Sequence, residues 1–183
     1  KPEALENIED ILAAADGIMI ARGDLGVELP AKKVPFVQNA LIEACISRRK
    51  PVIVATQMLE SMIEHGRPTR AEVTDVSAAC LLGADAVMLS GETAAGKYPA
   101  EALSMMDAIL RETESYQFFA RKGLFRDPVP HADSGVQDAV SAAIAQLSRD
   151  LMVRSIVVET RTGRTVSIIS SDRPSSPIIA LTS

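Results

Sequence analysis

An aspartate between two glycines is the first group of residues in this chain with evident chemical potential. The segment Arg22-Gly23-Asp24-Leu25-Gly26 directly follows a short apolar run at 17–22. Gly23 lets the backbone approach a ligand closely, and its N–H can point at an anion. Asp24 offers the hard oxygen ligands that suit Mg²⁺. The pattern predicts an anion and metal site at a tight strand-to-loop exit, and a plain glycine turn is the alternative.

Two further apolar runs, 51–56 and 84–90, each end in a hydroxyl residue. Thr56 closes the first of these runs, and its hydroxyl could hold a phosphoryl or carboxylate oxygen or cap a following helix. Ser90 closes the second and is followed by Gly91-Glu92-Thr93, which suits a phosphate- or water-lined mouth or a helix-entry turn. If the strands are neighbours, Asp24 and Glu92 are expected to face a common mouth, since ligands collect at the carboxyl ends of parallel strands.

A second polar cluster lies near the end of the chain. Residues Thr160, Arg161, Thr162, Gly163, Arg164 and Thr165 follow another apolar run. Hydroxyl and N–H donors, arginine forks and the start of a helix together form a good phosphate cradle. A solvated polar turn is the alternative interpretation.

The three apolar runs at 17–22, 51–56 and 84–90 predict buried parallel strands. The segments between and around them show helical spacing of apolar residues, and they lie at 3–14, 31–48, 70–82 and from Pro99 onward. Thr69 and Glu72 predict a capping box at the start of the helix at 70–82. Serial strand–helix units predict a parallel sheet, but three units are too few for a (β/α)₈ barrel, which needs about 250 residues. We therefore expect the chain to be part of a larger fold.

Residues 122–134 break the pattern with two prolines and a glycine, which indicates a linker. A helix at 135–149 is predicted next, with Val136, Val140, Ile144 and Leu147 facing inward, followed by strands at 155–160 and 177–182. The apolar stretch 166–170 fits either a helix or a strand. We expect one domain over 1–121, a linker over 122–134 and the first half of a smaller α/β domain over 135–183.

Composition excludes several classes of protein. A net charge of −5 argues against nucleic acid and anionic lipid surfaces as partners. No apolar run reaches the ~18 residues of a membrane helix. Cys45 and Cys80 lack metal-site spacing and fit a reduced, cytoplasmic setting. His65 and His131 lie in polar segments without a nearby partner for a catalytic triad.

Four segments occur in an order that resembles pyruvate kinases: GIMIARGDLGVELP at 17–30, KPVIVATQMLESMI at 50–63, RPTRAEVTDVS at 67–77 and ADAVMLSGETAAGKYPAEA at 84–102. The resemblance is dense over 1–114 and looser to 183. It implies the last three strands of a (β/α)₈ TIM barrel, followed by the opening half of a C-terminal, three-layer α/β regulatory domain. The family transfers phosphate from phosphoenolpyruvate to ADP in glycolysis, giving pyruvate and ATP.

The resemblance also implies roles for individual residues. Asp24 matches the aspartate that binds the divalent metal. Ala21, Arg22 and Gly23 match the strand end whose backbone holds the substrate carboxylate at a helix start. Thr56 matches a threonine that contacts the substrate, and Ser90 a serine on the proton-relay side of the pocket. These matches make Asp24, Thr56 and Ser90 the predicted catalytic residues.

Two further matches concern regulation and assembly. Arg70, in PTRAE, matches a position at the subunit interface of an expected cytoplasmic homotetramer. The loop Thr160–Thr165 is similar to one that binds the phosphate of an allosteric sugar-phosphate activator in many members, and a nucleotide effector is also open. The implied cofactors are Mg²⁺ or Mn²⁺, together with K⁺.

The family's catalytic lysine and second metal carboxylate lie in a Lys-Ile-Glu segment that residues 1–183 do not contain. We therefore expect the chain to be inactive alone. Two other functions stay open from the sequence: a Mg²⁺-dependent lyase or aldolase acting on an oxo-acid on the same barrel, and a non-catalytic module that binds phosphate.

Overall fold

A computed structural model of the chain describes residues 2–120 and 135–182. Its contacts divide the chain into two compact units, residues 1–126 and residues 127–183. The predicted linker at 122–134, including His131, lies outside the described residues.

The first unit contains a three-stranded parallel sheet in the order β1-β2-β3. The strands are β1 (Ile18–Ala21), β2 (Val52–Ala55) and β3 (Ala86–Met88). Ala21 pairs with Ala55, and Ala55 pairs with Met88, so the three carboxyl ends lie at one edge of the sheet. The apolar runs therefore predicted both the strands and their parallel arrangement.

Helices separate and flank these strands. They are α1 (Pro2–Glu6), α2 (Ile8–Ala14), α3 (Arg22–Glu28), α4 (Val34–Ser47), α5 (Arg70–Leu81), α6 (Gly91–Ala94) and α7 (Pro99–Ala120), with 3₁₀ turns at Ala31–Lys33 and Glu60–Ile63. Alternating strands and helices of this kind place helices against a parallel sheet, as predicted. The predicted single helix at 3–14 is divided at Asn7, whose side-chain amide donates to the Glu3 carbonyl.

The core of the first unit is aliphatic. It contains fully buried residues from β2, such as Val52 and Val54, and from the helices, such as Leu12, Ile42 and Val76. Met58, Met62 and Met106 fill the same core, which suits their flexible apolar side chains. Cys45 is also buried, and this burial, aided by the Asp85 carboxylate, raises the pKa of its thiol to about 11. A thiol of that pKa is protonated near neutral pH, which suits a packed residue.

The second unit contains α8 (Val136–Asp150), β4 (Ile156–Glu159), α9 (Arg164–Ser171) and β5 (Ile178–Leu181). Strands β4 and β5 pair in parallel, with Ile156 opposite Ile178. The ambiguous stretch 166–170 belongs to α9 and is helical. A strand, a helix and a parallel strand in succession form one α/β unit.

The predicted inward face of α8 is largely uncovered in the part of the second unit that the structure describes. Val136, Val140 and Leu147 are exposed, and Ile144 is half-buried. The buried residues of α8 are small instead: Ser141, Ala145 and Ser148. The Ser141 hydroxyl donates to the Ile168 carbonyl at 3.1 Å, which shows how closely small side chains let α8 approach α9. Val136, Val140 and Ile144 of α8 line a groove with Ile168 and Ile169 of α9.

None of the helices within residues 2–120 and 135–182 has the length and apolar character needed to cross a membrane.

Candidate functional site

The candidate site lies at the carboxyl edge of the β1-β2-β3 sheet. Thr56 directly follows β2, Ser90 follows β3 by two residues, and Asp24 lies in the first turn after β1. Because the three strands are parallel neighbours, the structure brings these predicted residues to one edge. This is the edge at which α/β sheets place their ligand sites.

The segment after β1 is a helix and not the tight loop predicted from its glycines. Helix α3 begins at Arg22, directly after Ala21, and runs to Glu28. The Gly23 N–H, for which the sequence predicts an anion as partner, donates to the Thr56 hydroxyl oxygen at 2.8 Å. This hydrogen bond joins the ends of β1 and β2. It also leaves the hydroxyl hydrogen of Thr56 available to donate to another group.

Thr56 and Gln57 both adopt left-handed backbone, with φ of 67° and 54°. That region is uncommon for any residue with a Cβ and is a genuine outlier for a β-branched one. Such a conformation persists where the surroundings over-determine it. Thr56 is therefore not a simple cap of a following helix; its hydroxyl accepts from Gly23 across the sheet edge.

The Arg22 side chain supplies much of that surrounding structure. Its guanidinium donates to the Thr56 carbonyl at 2.8 and 3.1 Å and to the Gln57 carbonyl at 2.6 Å. It also forms an ion pair with Asp75 of α5. Arg22 is 7% exposed, so these bonds are made away from bulk water. The sequence predicts a role only for the backbone of Arg22, because no local pattern links its side chain to Asp75.

Asp24 is exposed and forms no hydrogen bond or ion pair with the described residues. A carboxylate at a strand's carboxyl end, with its oxygens open to solvent, fits one ligand position of Mg²⁺. Across the described ranges, however, no three His, Cys, Asp or Glu side chains are grouped to hold a metal ion. Any metal at Asp24 thus needs ligands from outside this set, such as substrate oxygens.

Glu92 does not share a mouth with Asp24. Strand β2 lies between their strands, and Glu92 is 2% exposed. Its carboxylate accepts hydrogen bonds from the backbone N–H groups of Leu59 at 3.1 Å and Ser90 at 2.8 Å. The prediction of a mouth-facing acid at Glu92 was wrong, because these two amides satisfy the carboxylate inside the protein.

Ser90 precedes helix α6 but does not cap it with its side chain. Its hydroxyl oxygen is inaccessible to solvent and has no hydrogen-bond partner among the described residues. A buried hydroxyl left without a partner is costly, so such a group is a candidate to meet a ligand or a water.

The capping box predicted at the start of α5 is confirmed. The Thr69 hydroxyl accepts from the Glu72 N–H, and the Glu72 carboxylate accepts from the Thr69 N–H. Ser61 also donates to Glu72, through its N–H at 2.7 Å and its hydroxyl at 2.6 Å. Burial would raise the pKa of Glu72, but these bonds outweigh it and hold the pKa below the ordinary 4.5. Arg70, the first residue of α5, is exposed.

The segment Thr160–Thr165 follows β4 and includes the first two residues of α9. The Thr160 hydroxyl accepts from the Gly163 N–H at 3.0 Å, and Gly163 has φ of +80°. A Cβ at Gly163 would meet nothing within 4 Å, so glycine is required there for its backbone and not for space. Arg161, Thr162, Arg164 and Thr165 are exposed around the start of α9.

Taken together, the chain has the architecture of part of a parallel (β/α) barrel followed by the start of an α/β domain, with polar residues at the carboxyl ends of its strands. Residues 1–103 match the family model of the pyruvate kinase barrel domain, and residues 138–183 match that of the pyruvate kinase alpha/beta domain. The chain belongs to the pyruvate kinase family.

Individual relatives agree with this assignment. The chain is 48% identical to a pyruvate kinase of Geobacillus stearothermophilus, over 99% of this chain and 30% of that protein. It is 46% identical to one of Agrobacterium vitis, over 100% of this chain and 37% of that protein. A crystal structure of a pyruvate kinase from Cryptosporidium parvum superposes with a TM-score of 0.85 at 41% identity, covering 100% of this chain and 37% of that one. The chain thus spans only about a third of the length of these relatives.

Proposed function

We propose that the full-length protein transfers the phosphoryl group of phosphoenolpyruvate to ADP, giving pyruvate and ATP in glycolysis. Family membership and relatives named pyruvate kinase support this activity. The observation that carries the proposal within the chain is the position of Asp24, Thr56 and Ser90 at the carboxyl ends of three adjacent parallel strands.

In this proposal Asp24 would hold a divalent cation, Mg²⁺ or Mn²⁺. The cation would neutralise charge on the phosphoryl and carboxylate oxygens of the substrate. The exposed Asp24 oxygens fit one ligand position, and substrate oxygens would supply others. K⁺ is the proposed monovalent cofactor.

Thr56 would bind a substrate oxygen through its hydroxyl. Because the Thr56 oxygen already accepts from Gly23, the free hydroxyl hydrogen is the group that points onward to a ligand. Ala21, Arg22 and Gly23 form the end of β1 and the start of α3, where the substrate carboxylate would lie against the helix start. The buried, unpaired Ser90 hydroxyl would line the side from which the enol of pyruvate gains a proton.

The test is phosphoryl transfer from phosphoenolpyruvate to ADP by the full-length protein with Mg²⁺ and K⁺. We expect Asp24→Asn to lower kcat/KM by about a hundredfold or more, because one charge of the metal site is lost. Glu28→Gln is the matched control, since Glu28 is an exposed acid at the other end of the same helix. A wild-type protein without activity, or equal effects of the two substitutions, contradicts the proposal.

Residues 1–183 alone are expected to be inactive, since they contain no Lys-Ile-Glu segment. Detection of ATP from phosphoenolpyruvate and ADP by this segment above a buffer control would overturn that expectation. We propose residues 1–121 as the barrel portion, 122–134 as a linker and 135–183 as the first half of the regulatory domain.

The Thr160–Thr165 loop is the proposed site for the phosphate of a sugar-phosphate or nucleotide effector. Its support is the exposed pair Arg161 and Arg164 beside the start of α9. Calorimetry of the full-length protein with each effector class tests it, and activation that survives Arg161→Ala and Arg164→Ala counts against it. Arg70 is proposed as a subunit contact in a cytoplasmic homotetramer, and Arg70→Ala should weaken the tetramer in analytical ultracentrifugation.

A further inference from the structure

A buried acid beside the candidate site has no part in the function proposed above. Glu92 is 2% exposed, and its carboxylate accepts from two backbone amides and from no side chain in the described residues. Charged side chains are rarely fully buried unless they are paired or hydrogen-bonded. Here the compensation comes from the N–H groups of Leu59 and Ser90, which belong to the segments that follow β2 and β3.

The Leu59 and Ser90 amides lie in the segments that follow two neighbouring strands, β2 and β3, and the Glu92 carboxylate bridges these segments. Leu59 comes just before the 3₁₀ turn Glu60–Ile63, and Ser90 lies between β3 and α6. Ser90 has φ of −121° and ψ of −98°, which belong neither to a helix nor to a strand. The carboxylate of Glu92 is therefore the group that ties the Ser90 backbone to the segment after β2.

The backbone around Glu92 is closely packed against Ile63. A Cβ at Gly96 would lie 2.5 Å from the Glu92 carbonyl oxygen and 3.2 Å from the Ile63 Cα. A Cβ at Gly91 would lie 3.0 Å from the Ile63 Cδ1. Only glycine fits at Gly96, and the Ile63 contacts at both glycines show that α6 and the segment after it lie close to the turn at Glu60–Ile63.

We propose that Glu92 is a positioning residue, which fixes the Ser90 backbone through the Ser90 N–H and so sets where the Ser90 hydroxyl lies in the active site. The inference rests on the proposed phosphotransfer and deepens it. The Ser90 hydroxyl is buried and has no partner among the described residues, so its position is set by its backbone and not by a bond of its own. Glu92 itself touches no substrate.

The test compares Glu92→Gln with Glu60→Gln in the full-length protein. The first substitution keeps the shape of the side chain but turns an NH₂ donor toward one of the two N–H groups, so one bond is lost. We expect kcat to fall by about tenfold with KM for phosphoenolpyruvate nearly unchanged, because a small misplacement of a catalytic group affects turnover. Glu60 is exposed and adjacent to Leu59, and its substitution should leave both constants unchanged.

A double-mutant cycle with Ser90→Ala separates positioning from general destabilisation. If Glu92 acts through the Ser90 hydroxyl, Glu92→Gln should cost little more once that hydroxyl is removed. The exchange of pyruvate methyl protons with D₂O, followed by NMR, should fall in parallel with kcat, since the hydroxyl is placed on the protonation side. Full additivity of the two losses, or an unchanged kcat in Glu92→Gln, overturns the proposal.

Two further outcomes need their own measurements: a Glu92→Gln variant that does not fold, and a wild-type protein without activity. If Glu92→Gln does not fold, Glu92→Asp replaces it in the same cycle, since the shorter carboxylate keeps the charge but reaches one amide at most. If the wild-type protein has no phosphotransfer activity, the proposed function fails by itself. Faster hydrogen exchange at the Leu59 and Ser90 amides in Glu92→Gln would then still support the bridge, and unchanged exchange would refute it.

Discussion

The loops that follow β2 and β4 both contain left-handed backbone, yet only the first is held by distant side chains. After β2, Thr56 and Gln57 have φ of 67° and 54°, and Arg22 donates to both of their carbonyls from the end of another strand. After β4, the left-handed residue is Gly163, and its N–H is bonded to Thr160, three residues before it.

This difference shows two ways of building a loop at a strand end. A glycine adopts left-handed backbone at little steric cost, so local hydrogen bonds suffice after β4. Two residues with side chains need tertiary contacts to hold the same conformation after β2. The candidate catalytic edge is therefore fixed by side-chain contacts across the first unit, whereas the left-handed turn at Gly163 is held by the hydrogen bond to the nearby Thr160 hydroxyl.

The largest effect is expected from removing the bonds of the Arg22 guanidinium to Thr56, Gln57 and Asp75, which together form the Arg22 clamp of the loop after β2. Arg22→Met removes every guanidinium bond to Thr56 and Gln57 and leaves Asp75 without its cation. We expect the local free energy of unfolding around β1 and β2 to fall by about 3 kcal/mol, the scale of breaking a buried charged contact. Hydrogen exchange of the full-length protein, read at β1 and β2 peptides, measures it.

Arg161→Met is the matched control for the clamp, because Arg161 is an exposed arginine in the loop after β4. Its effect on the local unfolding free energy should stay within about 0.5 kcal/mol. Equal losses in the two variants would mean that the two loops are held alike and would contradict the comparison.

The next effect concerns the close packing of α8 on α9 in the second unit. Ala145 is 1% exposed, and Ala145→Leu should destabilise α8 by about 2 kcal/mol through overpacking. Val140 is 52% exposed, so Val140→Thr should change stability by less than about 0.5 kcal/mol. Hydrogen exchange of α8 peptides distinguishes them, and the reverse order of effects would restore the inward face predicted from the sequence.

The sequence predicted contacts between residues that are close along the chain, but not contacts between residues that are far apart along it. Apolar runs predicted β1, β2 and β3, and the three-residue spacing of Thr69 and Glu72 predicted their capping box. Arg22 and Asp75 are 53 residues apart, and no local pattern connects them. The same holds for Leu59 and Glu92, 33 residues apart, whose bond shows an acid turned inward where the sequence predicted one facing a ligand.

The buried face of α8 differs from the predicted apolar face for a different reason. The rule that apolar residues face inward assumes that burial of apolar area decides the orientation of a helix. In α8 the small residues Ser141, Ala145 and Ser148 pack instead, because they allow close approach and their hydroxyls bond to neighbouring groups. The sequence of α8 alone does not indicate which of its faces packs against α9.

A smaller effect, which depends on pH, concerns the capping box of Thr69 and Glu72 at the start of α5. The pKa of Glu72 lies below 4.5 in the folded protein, so its carboxylate stabilises the fold above that pH and loses this effect as the pH falls through the folded value. Glu72→Gln should lower the local stability of α5 by about 1 kcal/mol at neutral pH and by progressively less below pH 4.5.

Hydrogen exchange of α5 amides, corrected for the intrinsic rate at each pH, measures this dependence. Glu101→Gln is the control, since Glu101 is an exposed acid in the first turn of α7. A stability difference between wild type and Glu72→Gln that does not shrink on acidification would show that the charge of Glu72 is not what stabilises α5.

The smallest expected effect is that of Gln57→Gly, which is compared with Gly163→Ala to test the left-handed residues themselves. Gly163→Ala should destabilise the loop after β4 by about 1 kcal/mol, because the added Cβ disfavours φ of +80° although it meets no atom within 4 Å. Gln57→Gly removes a Cβ from a left-handed residue while keeping the carbonyl that Arg22 binds. The relief of strain and the gain in unfolded-chain entropy oppose each other, so its stability should change by less than about 0.5 kcal/mol. Hydrogen exchange at the two loops compares them directly. If Gln57→Gly destabilises more than Gly163→Ala, the side chain of Gln57 contributes to the clamp beyond its carbonyl, and the loop after β2 is held by more than Arg22.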